Sequence, residues 1–210
     1  MHRYITRACA AATAGIALAA VGVTGATASD AAPRAVPGVR VTGAGPSLAA
    51  TSPGTQLWAA RYDNTGNGGA TAAAASPNGK TVFVTGYTTA GSTEDYTTVA
   101  YDAATGTQQW LARYNGPVNF TDEAYSVAVS PSGDTVYVTG ESAGTDDGWD
   151  SATVAYNATT GAQLWVKRYN GAGPGSKAFS VAVSPTAGTV FITGYSVDGG
   201  SDYATVAYDG

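Results

Sequence analysis

Three carboxylates, at Asp146, Asp147 and Asp150, stand in one short segment that also contains Gly148. Oxygen-rich loops with glycine can hold calcium, and outside the cell even a weak calcium site fills. Asp and Gly are also favoured in solvated turns for backbone reasons alone. The sequence favours a solvated turn here, with calcium binding as the alternative and no other cofactor predicted.

Trp149 lies in the same segment and is the first candidate for ligand contact. Like Tyr87, Tyr195 and Tyr203, it stands near the end of a predicted strand or in a loop. Aromatic rings at such positions can stack on sugar rings, as in a lectin-like module. The competing interpretation, which the sequence favours, is that Trp149 covers the edge of a sheet.

Paired carboxylates could also act on a glycosidic bond, and Asp122 and Glu123 are an adjacent pair. On a strand, successive side chains point to opposite faces of the sheet. The two groups therefore could not flank one bond together, as the two carboxylates of a glycosidase do. A glycan hydrolase or lyase stays an alternative function without assigned catalytic residues.

The first 28 residues have the pattern of a secretory signal peptide, with Arg3 and Arg7, an apolar run over 8–23 and the small-residue site 26–28. They also contain the only Met, His and Cys of the chain. A mature chain without them has no Ser-His-Asp triad, no Cys nucleophile, no Cys/His zinc site and no intramolecular disulfide. We predict a secreted, extracellular protein with no membrane contact after cleavage.

The charge balance of the mature chain restricts its partners. With residues 1–28 removed, eight basic residues face fifteen acidic ones, and no cluster of Lys and Arg remains. Nucleic acid and anionic membranes are therefore not expected partners. The next segment, 29–53, contains four of the nine prolines and little periodic apolar content, which predicts a flexible leader.

From residue 54 onward the sequence repeats with spacings of 52 to 55 residues. Two segments recur. One is Gly-x-Gln-x-Trp, which is followed after two intervening residues by Arg-Tyr, and the other is Thr-Val-aromatic-aliphatic-Thr-Gly. The first begins at Gly54, Gly106 and Gly161, and the second begins at Thr81, Thr135 and Thr189. Periods of this length indicate stacked units, such as those of solenoids or propellers.

Each period contains four short apolar or β-branched runs separated by turn residues. In the middle repeat these runs are 124–130, 135–139, 151–156 and 163–169. None has the 3.6-residue apolar period that a helical solenoid requires. Four strands in about 50 residues predict one four-stranded antiparallel blade of a β-propeller, in an all-β chain. An ordinary β-sandwich is the alternative.

The repeat is out of phase with the predicted blades. Blades at about 69–114 and 123–169 are complete, residues 177–208 supply three strands, and residues 54–62 supply one outermost strand. These strands amount to about three blades, whereas a closed ring typically has 4–8. We expect either a homodimer, in which strand 54–62 of each copy completes the 177–208 blade of the other, or a truncated fragment.

Two segments resemble the A-x-D-x-x-T-G-x-x-x-W tryptophan-docking motif of pyrroloquinoline-quinone-type propellers. Residues 100–110 match it, and residues 155–165 match it with Asn157 in place of Asp. The other parts of the blades, such as 124–140, resemble repeats of bacterial secreted propellers, which are usually found in larger seven-bladed proteins. The resemblance covers 54–210 and implies a propeller-repeat family.

What the docking motif implies is structural. Each Trp of the motif can lie flat between neighbouring blades while its N–H reaches a backbone acceptor, and each Gly relieves strain in the tight turn. Arg113 and Arg168 are in register and should pair with acids such as Asp95, Asp150 or Asp202. The residues assigned to docking are Trp58, Trp110, Trp165, Gly106 and Gly161.

The resemblance also suggests a quinoprotein dehydrogenase, and the sequence argues against it. The resemblance implies that such an enzyme would have eight blades, a vicinal disulfide, a calcium ligand set and a catalytic Asp. The mature chain has no Cys. We therefore predict a non-catalytic binding or interaction module for an extracellular protein or glycan. A truncated relative of a propeller enzyme is the alternative, and no catalytic or cofactor-binding residue is assigned.

Overall fold

The computed structural model describes residues 39–42, 52–62, 66–146, 148–171, 173 and 175–210. All of them belong to one compact unit, Ala35–Gly210. They form thirteen strands without any helix, which confirms the all-β prediction. Within this part of the chain, no helix is long and apolar enough to pass through a membrane. The predicted signal peptide, 1–28, lies outside the described residues.

The strands, in chain order, are β1 (Val39–Thr42), β2 (Ala59–Tyr62), β3 (Gly68–Ala75), β4 (Thr81–Ala90), β5 (Thr93–Asp102), β6 (Gln108–Tyr114), β7 (Asp122–Val129), β8 (Thr135–Ala143), β9 (Trp149–Asn157), β10 (Gln163–Tyr169), β11 (Ser176–Val183), β12 (Thr189–Val197) and β13 (Ser201–Asp209). Paired strands are antiparallel throughout.

The strands form four sheets in which sequential strands are neighbours. Strands β3–β6 make blade 1, β7–β10 make blade 2, and β11–β13 make the three-stranded blade 3, while β1 and β2 form a separate pair. Four-stranded antiparallel meanders of this length are propeller blades, so the predicted fold class is confirmed. The structure places blade 1 at 68–114, blade 2 at 122–169 and the strands of blade 3 within 176–209.

Strand β1 lies inside the segment expected to be a flexible leader. Its residues Val39–Thr42 pair with Ala59–Tyr62 of β2, with Val39 opposite Tyr62. The sequence Val-Arg-Val-Thr alternates β-branched residues, which favour strands. The sequence predicts a flexible leader here because prolines are frequent in 29–53, whereas the β-branched pattern covers only four residues. The outermost strand expected over 54–62 is also shorter, because it begins at Ala59.

The recurring Thr-Gly dipeptide has a packing reason in every blade. The first strand of each blade has a register shift, at Ala70/Ala72, Ala124/Ser126 and Ala178/Ser180. The glycine of the second strand lies directly against that irregularity, and a Cβ there would overlap a backbone carbonyl oxygen of the first strand. The glycines that accommodate this close approach are Gly86, Gly140 and Gly194.

The core lies between blades rather than within one sheet. One buried cluster joins blades 1 and 2 and includes Phe83, Tyr96, Val138 and Val154. A second joins blades 2 and 3 around Tyr137. Because blade 2 is covered on both faces, residues of β8 and β9 are buried almost without interruption. This two-sided burial is why those strands read as continuous apolar and β-branched runs.

Candidate functional site

Trp110 is docked between blades 1 and 2. Its Nε1–H donates to the carbonyl oxygen of Ala158 at 2.9 Å, and its ring is 7% exposed. The ring lies over Gly161, which has φ +71°, and a Cβ at Gly161 would be 2.7 Å from the ring. Only glycine fits this left-handed, closely approached position.

Trp58 repeats this arrangement against blade 1. Its Nε1–H donates to Ala103 O at 2.9 Å, and a Cβ at Gly106 would lie 2.8 Å from its ring. Trp165, which is half-buried like Trp58, packs between Tyr137 and Tyr208 at centroid distances of 5.8 Å and 6.1 Å. The geometry gives these residues a packing role.

The turn that receives each Trp is closed by one side chain. Asp102 Oδ1 accepts hydrogen bonds from Ala104 N, Thr105 N and Thr105 Oγ1 at 2.8–3.0 Å. The Thr105 hydroxyl is the main reason that the pKa of Asp102 is lowered. Asn157 Oδ1 accepts the equivalent three bonds in blade 2, at 2.9–3.1 Å. An acceptor oxygen is all that this turn requires, so Asn replaces Asp without loss.

Arg168 ties blades 1 and 2 together. Its guanidinium pairs with Asp150 at 2.8 Å and donates to Tyr114 Oη, Ser142 Oγ and Ala143 O at 2.5–2.8 Å. Hydrogen bonding to Tyr114 and the charge of Asp150 raise the pKa of Arg168 against the opposing effect of burial. Arg113 likewise donates to Tyr62 Oη at 2.9 Å, one blade earlier.

Asp122 is fully buried beside this network. Its Oδ2 accepts a hydrogen bond from Gly116 N at 2.6 Å, and burial raises the pKa of its carboxyl despite that bond. Burial and the charge of Asp122 also raise the pKa of Asp95. Glu123 points to the opposite side of the strand, as alternation requires. The adjacent pair Asp122 and Glu123 is therefore divided between two environments.

Two of the three carboxylates considered for calcium, Asp146 and Asp150, lie close to the same glycine, Gly144. Asp150 is engaged by Arg168, Asp146 is exposed, and Asp147 lies outside the described residues. Among the residues that the structure describes, no group of three or more His, Cys, Asp or Glu side chains could hold a metal ion. Glycine at 144 is nevertheless closely packed, since a Cβ there would lie 2.7 Å from Asp146 Oδ1.

A second polar group gathers where β5, β7, β8, β9 and β11 begin or end on one side of the blades. It combines carboxylates, aromatic rings and one ammonium group, and we name it the acid–aromatic edge. Its members are Glu94, Glu123, Tyr125, Glu141, Trp149 and Lys177. It is the candidate functional site, because the framework of the repeat does not need these residue types.

Tyr125 organises the carboxylates of this edge. Its hydroxyl lies 2.7 Å from Glu141 Oε1 and 3.1 Å from Glu123 Oε2. One hydroxyl hydrogen makes one strong bond, so the shorter distance favours Glu141 as the acceptor. Burial and the two carboxylates raise the pKa of Tyr125 well above its ordinary range. The phenol thus stays a neutral donor at physiological pH.

Glu123 and Glu94 form a like-charged contact. Burial, followed by a hydrogen bond to Glu94 and the Glu94 charge, raises the pKa of Glu123. The charge of Lys177 opposes this rise, but the ammonium group pairs directly with Glu141 instead. A cation placed beside these two carboxylates would favour the ionised form of Glu123.

Trp149 belongs to this edge and is partly covered. The Lys177 ammonium nitrogen lies 5.1 Å from the centroid of its ring, a cation–π geometry. One face of the indole is thus already occupied by a side chain of blade 3. The covered face of Trp149 therefore cannot stack on a sugar ring. Such stacking was the role for which the sequence made Trp149 a candidate.

Sequence reasoning selected Trp149 and considered Glu123 only as a pair with Asp122, but it missed Glu94, Tyr125, Glu141 and Lys177. A signal was present in the repeats themselves. Equivalent positions carry Gly69, Glu123 and Lys177 on the first strands, Tyr87, Glu141 and Tyr195 on the second, and Glu94, Trp149 and Ser201 on the third. Framework positions repeat in every blade, whereas these positions change residue type and charge from one blade to the next.

The described cavities contain no carboxylate. The larger, of about 350 Å³, lies between β2 and blade 1 and is lined by small and apolar side chains together with Arg61 and aromatic residues such as Trp58 and Tyr101. A much smaller one lies between blades 2 and 3. No acidic side chain of the candidate site lines either of these two cavities, although Lys177 lines the smaller one.

Comparison with a family model agrees with this architecture. Residues 29–210 match a family model of pyrroloquinoline-quinone-type (PQQ) repeats whose description is outer membrane protein assembly factor BamB. The chain belongs to this PQQ-repeat propeller family. The crystal structure of Sqt1 from Chaetomium thermophilum is similar to it with 21% identity and a TM-score of 0.49, over 73% of this chain. The chain spans 35% of that structure. A search of curated proteins finds no match.

Membership of the PQQ-repeat family raises the question of a quinone, and the residues that carry the motif do not fit one. The rings of Trp58 and Trp110 are packed on glycine turns, and their N–H groups are bonded to backbone carbonyls. The Asp102 carboxylate accepts hydrogen bonds from the backbone N–H groups of its own turn. The motif is used for packing between blades, so it offers no group to a cofactor.

Proposed function

We propose that this PQQ-repeat propeller is an exported, non-catalytic binding module whose ligand-facing surface is the acid–aromatic edge. The signal-peptide pattern of residues 1–28 supports export. The family's description as an assembly factor supports action through contacts with another macromolecule. The ligand that the edge suits is a cationic segment of a protein.

The observation that carries the proposal is the separation of the acidic groups from the cavities. Catalysis by two carboxylates requires them to flank one bond, about 5–9.5 Å apart, at a place that holds the substrate. Here Glu123 and Glu141 share the Tyr125 hydroxyl on an edge, while the cavities are lined without any acid. Such an edge is suited to recognition.

The charges favour a cationic partner. The chain carries a formal net charge of −5, and the edge holds three glutamates against the single ammonium of Lys177. A Lys or Arg side chain placed between Glu94 and Glu123 would relieve the repulsion between the two like charges. Trp149 gives the edge apolar area next to these charges, a combination that is enriched at protein interfaces.

A glycan, the other ligand class expected from the sequence, is less well supported. Stacking on a sugar requires a free aromatic face, whereas Lys177 covers one face of Trp149 and Phe179 packs on Tyr125 at 6.0 Å. The rings of the edge are thus engaged with side chains of the protein. A protein ligand needs only their edges and the carboxylates beside them.

A defined cationic probe tests the proposal. Binding of a short fluorescein-labelled peptide of alternating Lys and Ser is measured by fluorescence anisotropy for the unmodified protein and for the double variant Glu94→Gln/Glu123→Gln. We expect the variant to bind about five-fold more weakly or worse, because two facing charges are removed. Affinity of the unmodified protein should rise with pH as Glu123, whose pKa is raised, loses its proton.

The matched control is Asp198→Asn/Asp202→Asn, which removes two exposed carboxylates, one from the β12–β13 connection and one from the start of β13. It changes the net charge by the same amount, so non-specific attraction predicts equal losses for both variants. Equal losses, or no dependence on Glu94 and Glu123, would refute the assignment of the edge. Circular dichroism confirms that each variant retains the fold.

A further inference from the structure

Lys177 fills part of the acid–aromatic edge in the way that a ligand would. Its ammonium group pairs with the Glu141 carboxylate and lies 5.1 Å from the centroid of the Trp149 ring. Both contacts cross a blade boundary, because Lys177 is on β11 of blade 3 and its two partners are on β8 and β9 of blade 2. A carboxylate beside an aromatic face is a general arrangement for binding an ammonium ligand.

The Glu141 carboxylate requires a cation at this position. The residue is 5% exposed, and the Tyr125 hydroxyl donates to its Oε1 at 2.7 Å. The other oxygen, Oε2, accepts no hydrogen bond from the residues that the structure describes and is paired with the Lys177 ammonium group. Removing one member of a buried ion pair leaves an uncompensated charge. Without Lys177, Oε2 would therefore be a buried anionic oxygen open to another ammonium group. We name Tyr125, Glu141 and Trp149 the ammonium cradle.

The framework of the repeat does not require Lys177. The equivalent positions of blades 1 and 2 are Gly69 and Glu123, since each pairs with the same position of the second strand. The fold thus accepts no side chain, an acid or a base at this place. The Lys177 side chain is 25% exposed. A long unbranched side chain with this exposure can turn its ammonium group into water without a change in the backbone.

Exchange of one ammonium group for another keeps the buried carboxylate paired. The ion pair and the cation–π contact are present before and after such an exchange. We propose that Lys177 is an internal ligand of the ammonium cradle and that a lysine of the cationic partner displaces it. The inference rests on the proposed function, since it assumes a cationic protein segment at this edge. Lys177 then lowers the apparent affinity for the ligand by competing with it, so the contact is autoinhibitory.

The ammonium cradle favours lysine over arginine. The Tyr125 hydroxyl already uses Oε1 of Glu141, so the carboxylate offers a ligand only its Oε2. An ammonium group is a compact charge that can pair with one oxygen, whereas a guanidinium group pairs best with both oxygens of a carboxylate. We therefore expect the partner to be recognised through lysine.

Fluorescence anisotropy with the alternating Lys and Ser peptide tests the displacement. Lys177→Met should bind this peptide at least about five-fold more tightly than the unmodified protein, because the internal competitor is removed. The matched control is Lys80→Met, which removes one charge from the exposed β3–β4 connection. Long-range attraction alone predicts equal gains for the two variants. Displacement predicts a gain of about two-fold or less for Lys80→Met, and loss of the five-fold gain in Lys177→Met/Glu141→Gln.

A second peptide tests the preference for lysine on the unmodified protein. A fluorescein-labelled peptide of alternating Arg and Ser has the same charge and length as the Lys and Ser peptide. We expect it to bind at least about three-fold more weakly, because its guanidinium groups cannot use both oxygens of Glu141. This comparison does not depend on the folding of any variant.

A small amine tests the cradle without any peptide. In Lys177→Met, n-butylammonium chloride should fill the place of the lost ammonium group and raise the melting temperature by about 2 °C or more above the effect of sodium chloride at equal ionic strength. The Lys177→Met/Glu141→Gln variant should show no such difference, because the carboxylate that binds the amine is absent.

The outcomes separate this inference from the proposed function. Equal gains in Lys177→Met and Lys80→Met, equal binding of the two peptides, or no amine-specific stabilisation would each overturn the inference. Loss of the circular dichroism spectrum in Lys177→Met would overturn it as well, since the contact would then be structural. Peptide binding that does not depend on Glu94 and Glu123 would refute the proposed function, whereas stabilisation of Lys177→Met by the amine would still identify the cradle as an ammonium site.

Discussion

Replacing Trp110 by Ala tests whether blade-to-blade docking stabilises the fold. The ring is 7% exposed, lies on Gly161 and contacts Phe83 and Tyr156 at 5.7 Å and 6.3 Å. Burying about 200 Å² of ring at about 25 cal/mol per Å² contributes about 5 kcal/mol. Partial collapse of the cavity lowers this cost and the orphaned Ala158 carbonyl raises it. We expect a loss of about 3–5 kcal/mol in the free energy of unfolding.

Urea unfolding followed by far-ultraviolet circular dichroism measures this loss without relying on Trp fluorescence. Trp110→Phe is the matched variant, and it should cost about 1–2 kcal/mol, because it keeps the ring contacts and leaves only the Ala158 carbonyl unpaired. Trp149→Ala, at the half-buried edge, should cost about 1 kcal/mol. Equal losses at Trp110 and Trp149 would refute the docking assignment. Trp165→Ala should fall between them, because its ring is half-buried but packs against both Tyr137 and Tyr208.

Four further substitutions probe the polar network. Gly116→Ala should cost about 1–3 kcal/mol in urea unfolding, since its Cβ would lie 2.6 Å from Asp122 Oδ1. Arg168→Met should cost about 3 kcal/mol, because it leaves Asp150 buried and unpaired. Arg113 is exposed, so Arg113→Met should cost less than about 1 kcal/mol. Similar losses for the two variants would contradict this effect of burial. Burial raises the pKa of Asp122, so ionisation of this carboxyl lowers the free energy of unfolding once the pH exceeds the ordinary pKa of Asp. The stability of Asp122→Asn relative to the unmodified protein should therefore rise with pH. A relative stability that falls with pH would contradict this.

Much of the fold could be predicted from the repeat because framework positions recur for physical reasons. Thr-Gly recurs since the glycine faces a strand irregularity, and Gly-x-Gln-x-Trp recurs since the Trp packs on the next turn. Strand β1 was missed because four residues between proline-rich segments carry too weak a periodic signal. The interaction of Arg168 with Asp150 was among the pairings expected from register alone.

The candidate site was predicted only through Trp149, because its other members come from strands far apart in the sequence. Glu94 lies on β5, Glu141 on β8 and Lys177 on β11, and only the stacking of blades brings them to one edge. A search for adjacent acids found Asp122 and Glu123, which the strand separates. Aligning the three repeats and taking the positions that differ would have found the site.

The most direct measurement of the central claim is photo-crosslinking in the cells that produce the protein. Benzoylphenylalanine is placed at Trp149, inside the acid–aromatic edge, and in a control at Phe120, which is exposed but outside the edge. The binding-module account predicts a discrete crosslinked adduct with another protein from position 149 that is lost in Glu94→Gln/Glu123→Gln. No adduct from position 149, or the same adduct from position 120, would contradict it.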